Sequence, residues 1–131
     1  MAIFLDFAKA FDLVPHDRLL NKLTLVFPLW LVRWIAVYLS DRRQRVKMNN
    51  TETEWRQIEA GVIQGSVLGP ILFILFIADI NDYLPEGINV EKYADDIICY
   101  IIGRATKTDQ QVVDAVQRWC RDNQMRLNAG K

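Results

Sequence analysis

VEKYADDIICYII, at residues 90–102, consists of two apolar runs on either side of a pair of aspartates. Residues 90–94 and 97–102 have the composition of β-strands, and Asp95-Asp96 between them predicts the turn of a hairpin. A third apolar run, at residues 2–7, carries one carboxylate, Asp6. It predicts a buried strand with that acid near its end. We therefore expect a sheet with carboxylates at strand ends.

The segments between these strands mostly have helical periodicity. Apolar residues recur at helical spacing over 17–27, and Pro28 ends this helix and begins a second one. The second helix, 29–39, is apolar almost all round, so we expect most of it to be buried. The last helix is predicted to bury Val112, Val113, Val116, Trp119 and Cys120.

A second hairpin is predicted where polarity alternates over 44–48 and 53–58 around Asn49-Asn50. The remaining predicted elements are a turn or short helix at 8–14, a glycine-rich loop at 60–69, an apolar helix at 70–80, a turn at 85–87, a capping box between Thr108 and Gln111, and a short strand at 126–128. This order predicts an α+β fold with one small antiparallel sheet, helices packed on one face, and a β-hairpin.

Length and composition indicate one globular domain. The chain has 131 residues, of which 51% are hydrophobic, and its 16 basic and 16 acidic residues give zero net charge. This excludes a strongly basic nucleic-acid coat but leaves room for a local basic patch. The two cysteines have neither CxxC spacing nor a disulfide framework, which fits a reducing, intracellular compartment. The longest charge-free stretch is interrupted by polar residues and glycines, so we expect no membrane span.

The acids Asp6, Asp95 and Asp96 are the informative feature. A carboxylate at the end of an apolar strand is costly unless a partner compensates its charge. Mg²⁺ prefers carboxylate oxygens, and two such ions about 4 Å apart can clamp the attacking and leaving oxygens of a phosphoryl transfer. The alternative is structural, because Asp-Asp is a common turn dipeptide.

The chain resembles the palm of a reverse transcriptase from a LINE-type, non-LTR retrotransposon of the jockey-like group. Five blocks carry the resemblance: FLDFAKAFDLVPH at 4–16 (motif A), WIAVYLSDR at 34–42 (a spacer), GVIQGSVLGPILF at 61–73 (motif B), YADD at 93–96 (motif C) and LNAGK at 127–131 (the close of motif D). The resemblance implies an RNA-directed DNA polymerase with RNA template, DNA primer and dNTP as partners. It also implies a nuclear location, although no targeting signal is visible.

The resemblance also implies roles at the metals. Asp6 and Asp95 are expected to ligate two Mg²⁺ ions, with Mn²⁺ as a possible substitute and Asp96 in support. Lys131 matches the motif D lysine proposed to protonate pyrophosphate. Asp12 also belongs to the motif A block, but the family's metal ligand is the earlier Asp6, so Asp12 is expected to be structural or to support the ligands, with His16 near it. His16 alone is a poor candidate ligand, because a lone histidine before a helix is usually a surface group.

Further residues are implied at the nucleotide. The backbone amides of residues 7–10 (Phe7, Ala8, Lys9 and Ala10) are expected to meet the triphosphate. Phe11 matches the steric gate against a ribose 2′-OH, with a core phenylalanine as the alternative. Gln64 and Gly65 are expected to contact the nucleotide and the templating pair.

One basic cluster, Arg42, Arg43, Arg45 and Lys47, is a candidate for binding nucleic acid, with a solvated hairpin face as the alternative. The four tryptophans fall at helix or strand periodicity and are interpreted as core or packing residues. We expect the aromatic rings to pack rather than to stack on bases.

The chain departs from the family pattern in two respects. Ile63 stands where motif B usually has proline, which makes the loop less rigid. The matched motifs are A to D alone, so residues 1–131 are interpreted as part of a reverse transcriptase domain without the start of the fingers and without the thumb, with little activity by itself. The alternatives are a degenerate or maturase-like palm that binds RNA without catalysis, and an unrelated metal-dependent phosphotransferase domain.

Overall fold

The computed structural model describes residues 2–93, 96–101 and 109–128. The strands are β1 (Ala2–Asp6), β2 (Arg43–Gln44), β3 (Lys47–Met48), β4 (Thr51–Glu52), β5 (Arg56–Gln57), β6 (Asn89–Tyr93) and β7 (Asp96–Tyr100). The helices are α1 (His16–Thr24), α2 (Leu29–Leu39), α3 (Leu68–Phe76), α4 (Asp109–Asp122) and a 3₁₀ helix at Ala78–Tyr83.

An antiparallel sheet of three strands in the order β1-β7-β6 forms the centre of the fold. Successive side chains in a strand point to opposite faces, so each strand offers one apolar row to the helices. Leu5, Ile97 and Cys99 are buried on that row. On the opposite face the side chains are open to solvent: Phe4 is 76% exposed and Tyr93 is 85% exposed. The predicted α+β fold with helices on one face is confirmed.

The core joins the sheet to α3 and α4 through aromatic rings. Trp119 of α4 is fully buried, and its ring centroid lies 5.6 Å from that of Phe7 and 5.7 Å from that of Phe76. Phe73 meets Phe7 edge-on at 6.3 Å. Such pairs contribute about 0.5–1.5 kcal/mol each beyond their buried area. The end of β1 is therefore anchored rigidly to the helical layer.

The predicted face of the last helix is confirmed with one difference. Val112, Val116, Trp119 and Cys120 are buried, whereas Val113 is half-buried. Thr108 lies outside the described residues, so its capping box stays a prediction.

Burial raises the pKa of the Cys99 and Cys120 thiols to about 11, and neither forms a disulfide. Both thiols therefore stay protonated at neutral pH.

The hairpin predicted around Asn49-Asn50 is present. Its two ladders pair β2 with β5 and β3 with β4, and both asparagines have positive φ, 44° and 67°. Positive φ at both central residues is the signature of a type I′ turn, whose twist matches that of the strands.

The prediction that most of α2 is buried is wrong. Only Val32, Ile35 and Leu39 are buried, while Trp30 is 70% exposed and Val37 is 72% exposed. The helix packs against α1, whereas the side chains of Trp30 and Val37 are open to solvent. An apolar sequence sets a preference for burial, but only a neighbouring element can supply the burial.

Of the four tryptophans interpreted as core or packing residues, only Trp119 lies in the core. Trp30, Trp34 and Trp55 are 70%, 52% and 58% exposed, and only Trp119 is buried. The Trp34 ring stacks on Tyr38 at 5.8 Å, and the Arg45 guanidinium lies 4.6 Å from the centre of the Trp55 ring.

Two helix boundaries also differ from the prediction. The first helix ends at Thr24, so Val26 lies beyond it and is 69% exposed. The apolar helix starts at Leu68 and ends at Phe76, and the chain then continues into the 3₁₀ helix.

None of the helices in the described ranges combines the length and apolarity that crossing a membrane requires.

Candidate active site

Two of the predicted acids face each other at the end of the sheet. Asp6 and Asp96 are partners in the register of β1 and β7, at the last residue of one strand and the first of the other. Directly opposed residues in such a ladder have Cβ atoms about 5 Å apart. Like charges at that separation repel, so the pair is suited to sharing a cation. Asp95 and Lys131 lie outside the described residues.

The donor chemistry of this pair fits Mg²⁺, which takes hard carboxylate oxygens and usually retains several waters. Among residues 2–93, 96–101 and 109–128, no group of three or more potential metal ligands is found. The described part of the chain therefore supplies two carboxylates. A cavity of about 550 Å³ adjoins them, lined in part by Phe4, Ile98 and Leu127.

A third polar side chain stands beside Asp6. The Asn128 side-chain amide donates to Asp6 Oδ2 at 3.1 Å, and the Asn128 backbone N–H donates to the Asp6 carbonyl at 2.8 Å. The sequence identified Asn128 only as part of the last motif. Its contact joins residues far apart in the chain, and no local pattern signals it.

Residues 7–14 form a tight turn of irregular backbone rather than a helix. Lys9 has a φ of 50°, and its carbonyl accepts hydrogen bonds from the N–H groups of Asp12 and Leu13 at 2.9 and 3.1 Å. A non-glycine residue in this region is uncommon, and such conformations concentrate at functional sites. The turn carries the predicted nucleotide-binding residues next to the acids.

The Ala8 amide has a structural partner. It donates to the Arg126 carbonyl at 2.9 Å, which argues against its predicted role as a triphosphate donor. An N–H engaged in a good hydrogen bond offers little to a ligand. The Phe7 and Ala10 side chains are buried, and Lys9 is exposed. For the amides of these three residues, contact with the triphosphate stays a prediction.

Phe11 and Gln64 come together at this turn. A small cavity of about 130 Å³ is lined by Phe7, Lys9, Ala10, Phe11, Asp12 and Gln64. The Phe11 ring is half-buried and lies 5.0 Å from that of Phe73, so α3 holds it from behind. This position is compatible both with a steric gate and with the alternative of a core phenylalanine.

The loop of motif B is fastened to this turn by backbone hydrogen bonds. The Gly61 N–H donates to the Val14 carbonyl at 2.8 Å, and the Val62 N–H donates to the Phe11 carbonyl at 2.7 Å. His16 Nε2 donates to the Gly61 carbonyl at 2.7 Å. His16 therefore has a cross-loop partner, which the sequence did not predict because a lone histidine before a helix is usually a surface group.

Ser66 and Gly69 shape the rest of the loop. The Ser66 hydroxyl donates to the Ile63 carbonyl at 2.7 Å and accepts from the Gly69 N–H at 2.9 Å. A Cβ at Gly69 would lie 2.2 Å from the Ile63 carbonyl oxygen, so this position requires glycine. Gly65 has a φ of 82°, and a Cβ there would have nothing within 4 Å. Gly65 thus leaves open space for a ligand, whereas Gly69 is needed for packing.

The basic cluster divides into two pairs. Arg42 and Arg43 line a basin of about 590 Å³ together with residues of the motif B loop, including Gln64. Arg42 is anchored by a hydrogen bond of 2.8 Å from its Nε to the Tyr38 carbonyl. Arg45 and Lys47 instead form ion pairs with Glu52 on the hairpin. Only the first pair faces the candidate site.

Behind the sheet, a charged cluster connects α1, α3, α4 and the 3₁₀ helix. Lys22 Nζ donates to Asp79 Oδ1 at 2.7 Å and to the Phe76 carbonyl at 2.8 Å. The Trp119 indole N–H donates to the same Asp79 oxygen at 2.8 Å. Burial lowers the pKa of Lys22, and the hydrogen bond that Lys22 donates to Asp79 opposes that shift. Sequence reasoning missed this cluster because its members lie on four separate elements.

The sheet with its opposed acids, and the helices behind it, are consistent with the palm of a polymerase. Residues 1–131 match the family described as reverse transcriptase (RNA-dependent DNA polymerase). The chain therefore belongs to that family.

Curated relatives agree with this assignment. The chain is 35% identical to the probable RNA-directed DNA polymerase from transposon BS of Drosophila melanogaster, over 99% of its own length and 16% of that protein. It is 35% identical to the RNA-directed DNA polymerase from mobile element jockey of D. melanogaster and 37% identical to that of D. funebris, over 98% of this chain and 15% of each relative. The resemblance to jockey-like elements is confirmed. The chain spans about one sixth of the length of these relatives.

Proposed function

We propose that this chain provides the palm active site of a retrotransposon RNA-directed DNA polymerase. In that reaction the 3′-OH of a DNA primer attacks the α-phosphorus of a dNTP paired with an RNA template, and pyrophosphate leaves. The observation that carries the proposal is the pairing of Asp6 with Asp96 at the open end of the sheet. The turn that follows Asp6 shares a cavity with Gln64. Residues 1–131 are then part of a longer reverse transcriptase domain, which would act in the nucleus on a DNA target.

The carboxylates would act as ligands. Asp6 and Asp95, supported by Asp96, are the groups that would hold two Mg²⁺ ions, or Mn²⁺ in their place. When bound, such ions stabilise negative charge on the attacking and leaving oxygens. The protein contributes a rigid frame, because β1 is held by β7 on one side and by residues 126–128 on the other. Fixed charges need no reorganisation during the reaction.

The nucleotide would lie over the turn at residues 9–11 and the motif B loop. Phe73 supports the Phe11 ring, which would exclude a 2′-OH at the sugar. The open space at Gly65 would admit the base pair, and Gln64 offers an amide to it. Lys131 is proposed as the proton donor to pyrophosphate.

A primer extension assay tests the proposal. We expect the 131-residue chain alone to extend a DNA primer on an RNA template poorly or not at all, because its zero net charge gives it little hold on a duplex. A chimera in which this segment replaces the matching segment of the jockey polymerase is expected to extend the primer only with Mg²⁺ or Mn²⁺.

Two results would contradict this expectation. Robust extension by the 131-residue chain would show that no further region is needed. A folded chimera that binds the RNA template but adds no nucleotide with either cation would favour the maturase-like, RNA-binding alternative.

The division of the basic cluster gives a second prediction. Arg43→Ala is expected to weaken binding of an RNA–DNA duplex and to lower the slope of log K against log salt by about one, because one phosphate contact is lost. Arg45→Ala, the matched control, is expected to have a smaller effect because Glu52 already pairs with that guanidinium. Fluorescence anisotropy over a salt series measures both. Equal effects would indicate that the hairpin binds as one undivided patch.

A further inference from the structure

Residues 126–128 continue the central sheet beyond the free edge of β1. Phe7 and Leu127 form an antiparallel bridge. The Ala8 N–H donates to the Arg126 carbonyl at 2.9 Å, and the Asn128 N–H donates to the Asp6 carbonyl at 2.8 Å. Asn128 is therefore opposite Asp6 on one side, as Asp96 is on the other. The three side chains form a polar row across neighbouring strands.

Within this row only Asn128 can donate a hydrogen bond from its side chain to a carboxylate. Ionised carboxylates accept hydrogen bonds and cannot donate them, so the group facing Asp6 Oδ2 at 3.1 Å must be the amide NH₂. Opposed like charges destabilise a ladder, and a hydrogen bond to an ionised oxygen stabilises the charged form. The Asn128 amide stabilises the ionised carboxylate without bringing a positive charge that would compete with a bound cation.

The contact also restricts rotation of the Asp6 carboxyl group. The Asn128 backbone is tied to the Asp6 backbone, so its amide approaches from a fixed direction. Asn128 is exposed, and the side-chain hydrogen bond competes with water. The bond should therefore contribute little to overall stability, while it selects one orientation of the carboxylate.

We propose that Asn128 is a positioning residue that orients the Asp6 carboxylate for a divalent cation. This inference rests on the proposed function, since it assumes a cation at Asp6. Partners of this kind, which hold a ligand rather than the metal, typically change metal affinity by about 10-fold or more when removed.

The test is Mn²⁺ binding to the 131-residue chain, measured from the electron paramagnetic resonance signal of free Mn²⁺. Asn128→Ala removes the amide, and Asn128→Leu removes it at similar volume. Both are expected to raise the Kd for Mn²⁺ about 10-fold. Both should unfold near the wild-type temperature in EDTA, because the backbone hydrogen bond to Asp6 remains. Asn89→Ala is the matched control, an exposed asparagine at the far end of the same sheet.

Asp6→Asn separates this inference from the proposed function. If the wild-type chain binds no Mn²⁺, or Asp6→Asn leaves the Kd unchanged, the cation site itself is absent and both proposals fail. If Asp6→Asn weakens binding but both Asn128 variants keep the wild-type Kd, only the positioning role is overturned. An equal loss in Asn89→Ala would also overturn it, because the effect would not be specific to Asn128.

Discussion

Asp6→Asn is expected to reduce primer extension by the chimera at least about 1,000-fold. Asparagine has nearly the same shape but no charge, so it is a poor ligand for the Mg²⁺ expected there. Charge stabilisation by a metal is worth several kcal/mol in the transition state, and about 4 kcal/mol corresponds to this factor. Incorporation of labelled dNTP measured across Mg²⁺ concentrations gives the result. Asp95→Asn is expected to have the same effect.

We expect Asp6→Asn to lose activity without a matching loss of stability. Asp6 is opposite Asp96, so removing one charge relieves repulsion while it weakens the hydrogen bond from Asn128. The two changes oppose each other, and we expect little change in the unfolding temperature. Asp82→Asn, at an exposed acid on the 3₁₀ helix, is the matched control and should extend primers normally. Mg²⁺-dependent extension that survives Asp6→Asn would remove Asp6 from the proposed metal site.

Trp119→Ala is expected to lower the free energy of unfolding by about 3–5 kcal/mol. Its ring is fully buried between Phe7 and Phe76, and its indole N–H donates to Asp79. The substitution leaves a cavity and removes one partner of the acid that neutralises Lys22. Because small domains are stable by only about 5–15 kcal/mol, the variant should be close to unfolding. Urea denaturation followed by far-UV circular dichroism measures the change independently of tryptophan fluorescence.

Trp34→Ala provides the control for this experiment. Trp34 is 52% exposed and contacts the Tyr38 ring by stacking, so its truncation should cost about 1 kcal/mol or less. Trp34 and Trp119 are both tryptophans on helices, and they differ in the residues that surround the ring. Similar losses in the two variants would contradict the burial seen in the structure.

The tryptophans show where sequence reasoning succeeds and where it fails. Helical spacing predicted the element that carries Trp119 and the one that carries Trp34, and both helices are present. The interpretation as core or packing residues left open which ring is which: Trp119 is buried in the core, whereas Trp34 packs on Tyr38 at the surface. Periodicity reports which residues share a face of a helix, but it carries no information on what that face meets. The open side of α2 is visible only once its neighbours are in place.

The candidate site was likewise predictable from the sequence only in part. Asp6 and Asp96 were identified by their strand-end positions and by the resemblance to a family, and the register of β1 and β7 then makes them direct partners. The contacts of His16 with Gly61 and of Lys22 with Asp79 were not predicted. Each links residues more than 40 positions apart, and each depends on how loops and helices pack.

The amino-acid sequence by itself determined the order of strands and helices, the hairpin at Asn49-Asn50, and the family. These follow from local backbone preference, from side-chain periodicity and from motifs of neighbouring residues. The tertiary structure decided which tryptophan is buried, which arginines face the site, and that Asn128 meets Asp6 across 122 positions. Such contacts form only when separate strands are brought side by side, because a hydrogen bond about 3 Å long depends on packing that no local pattern encodes.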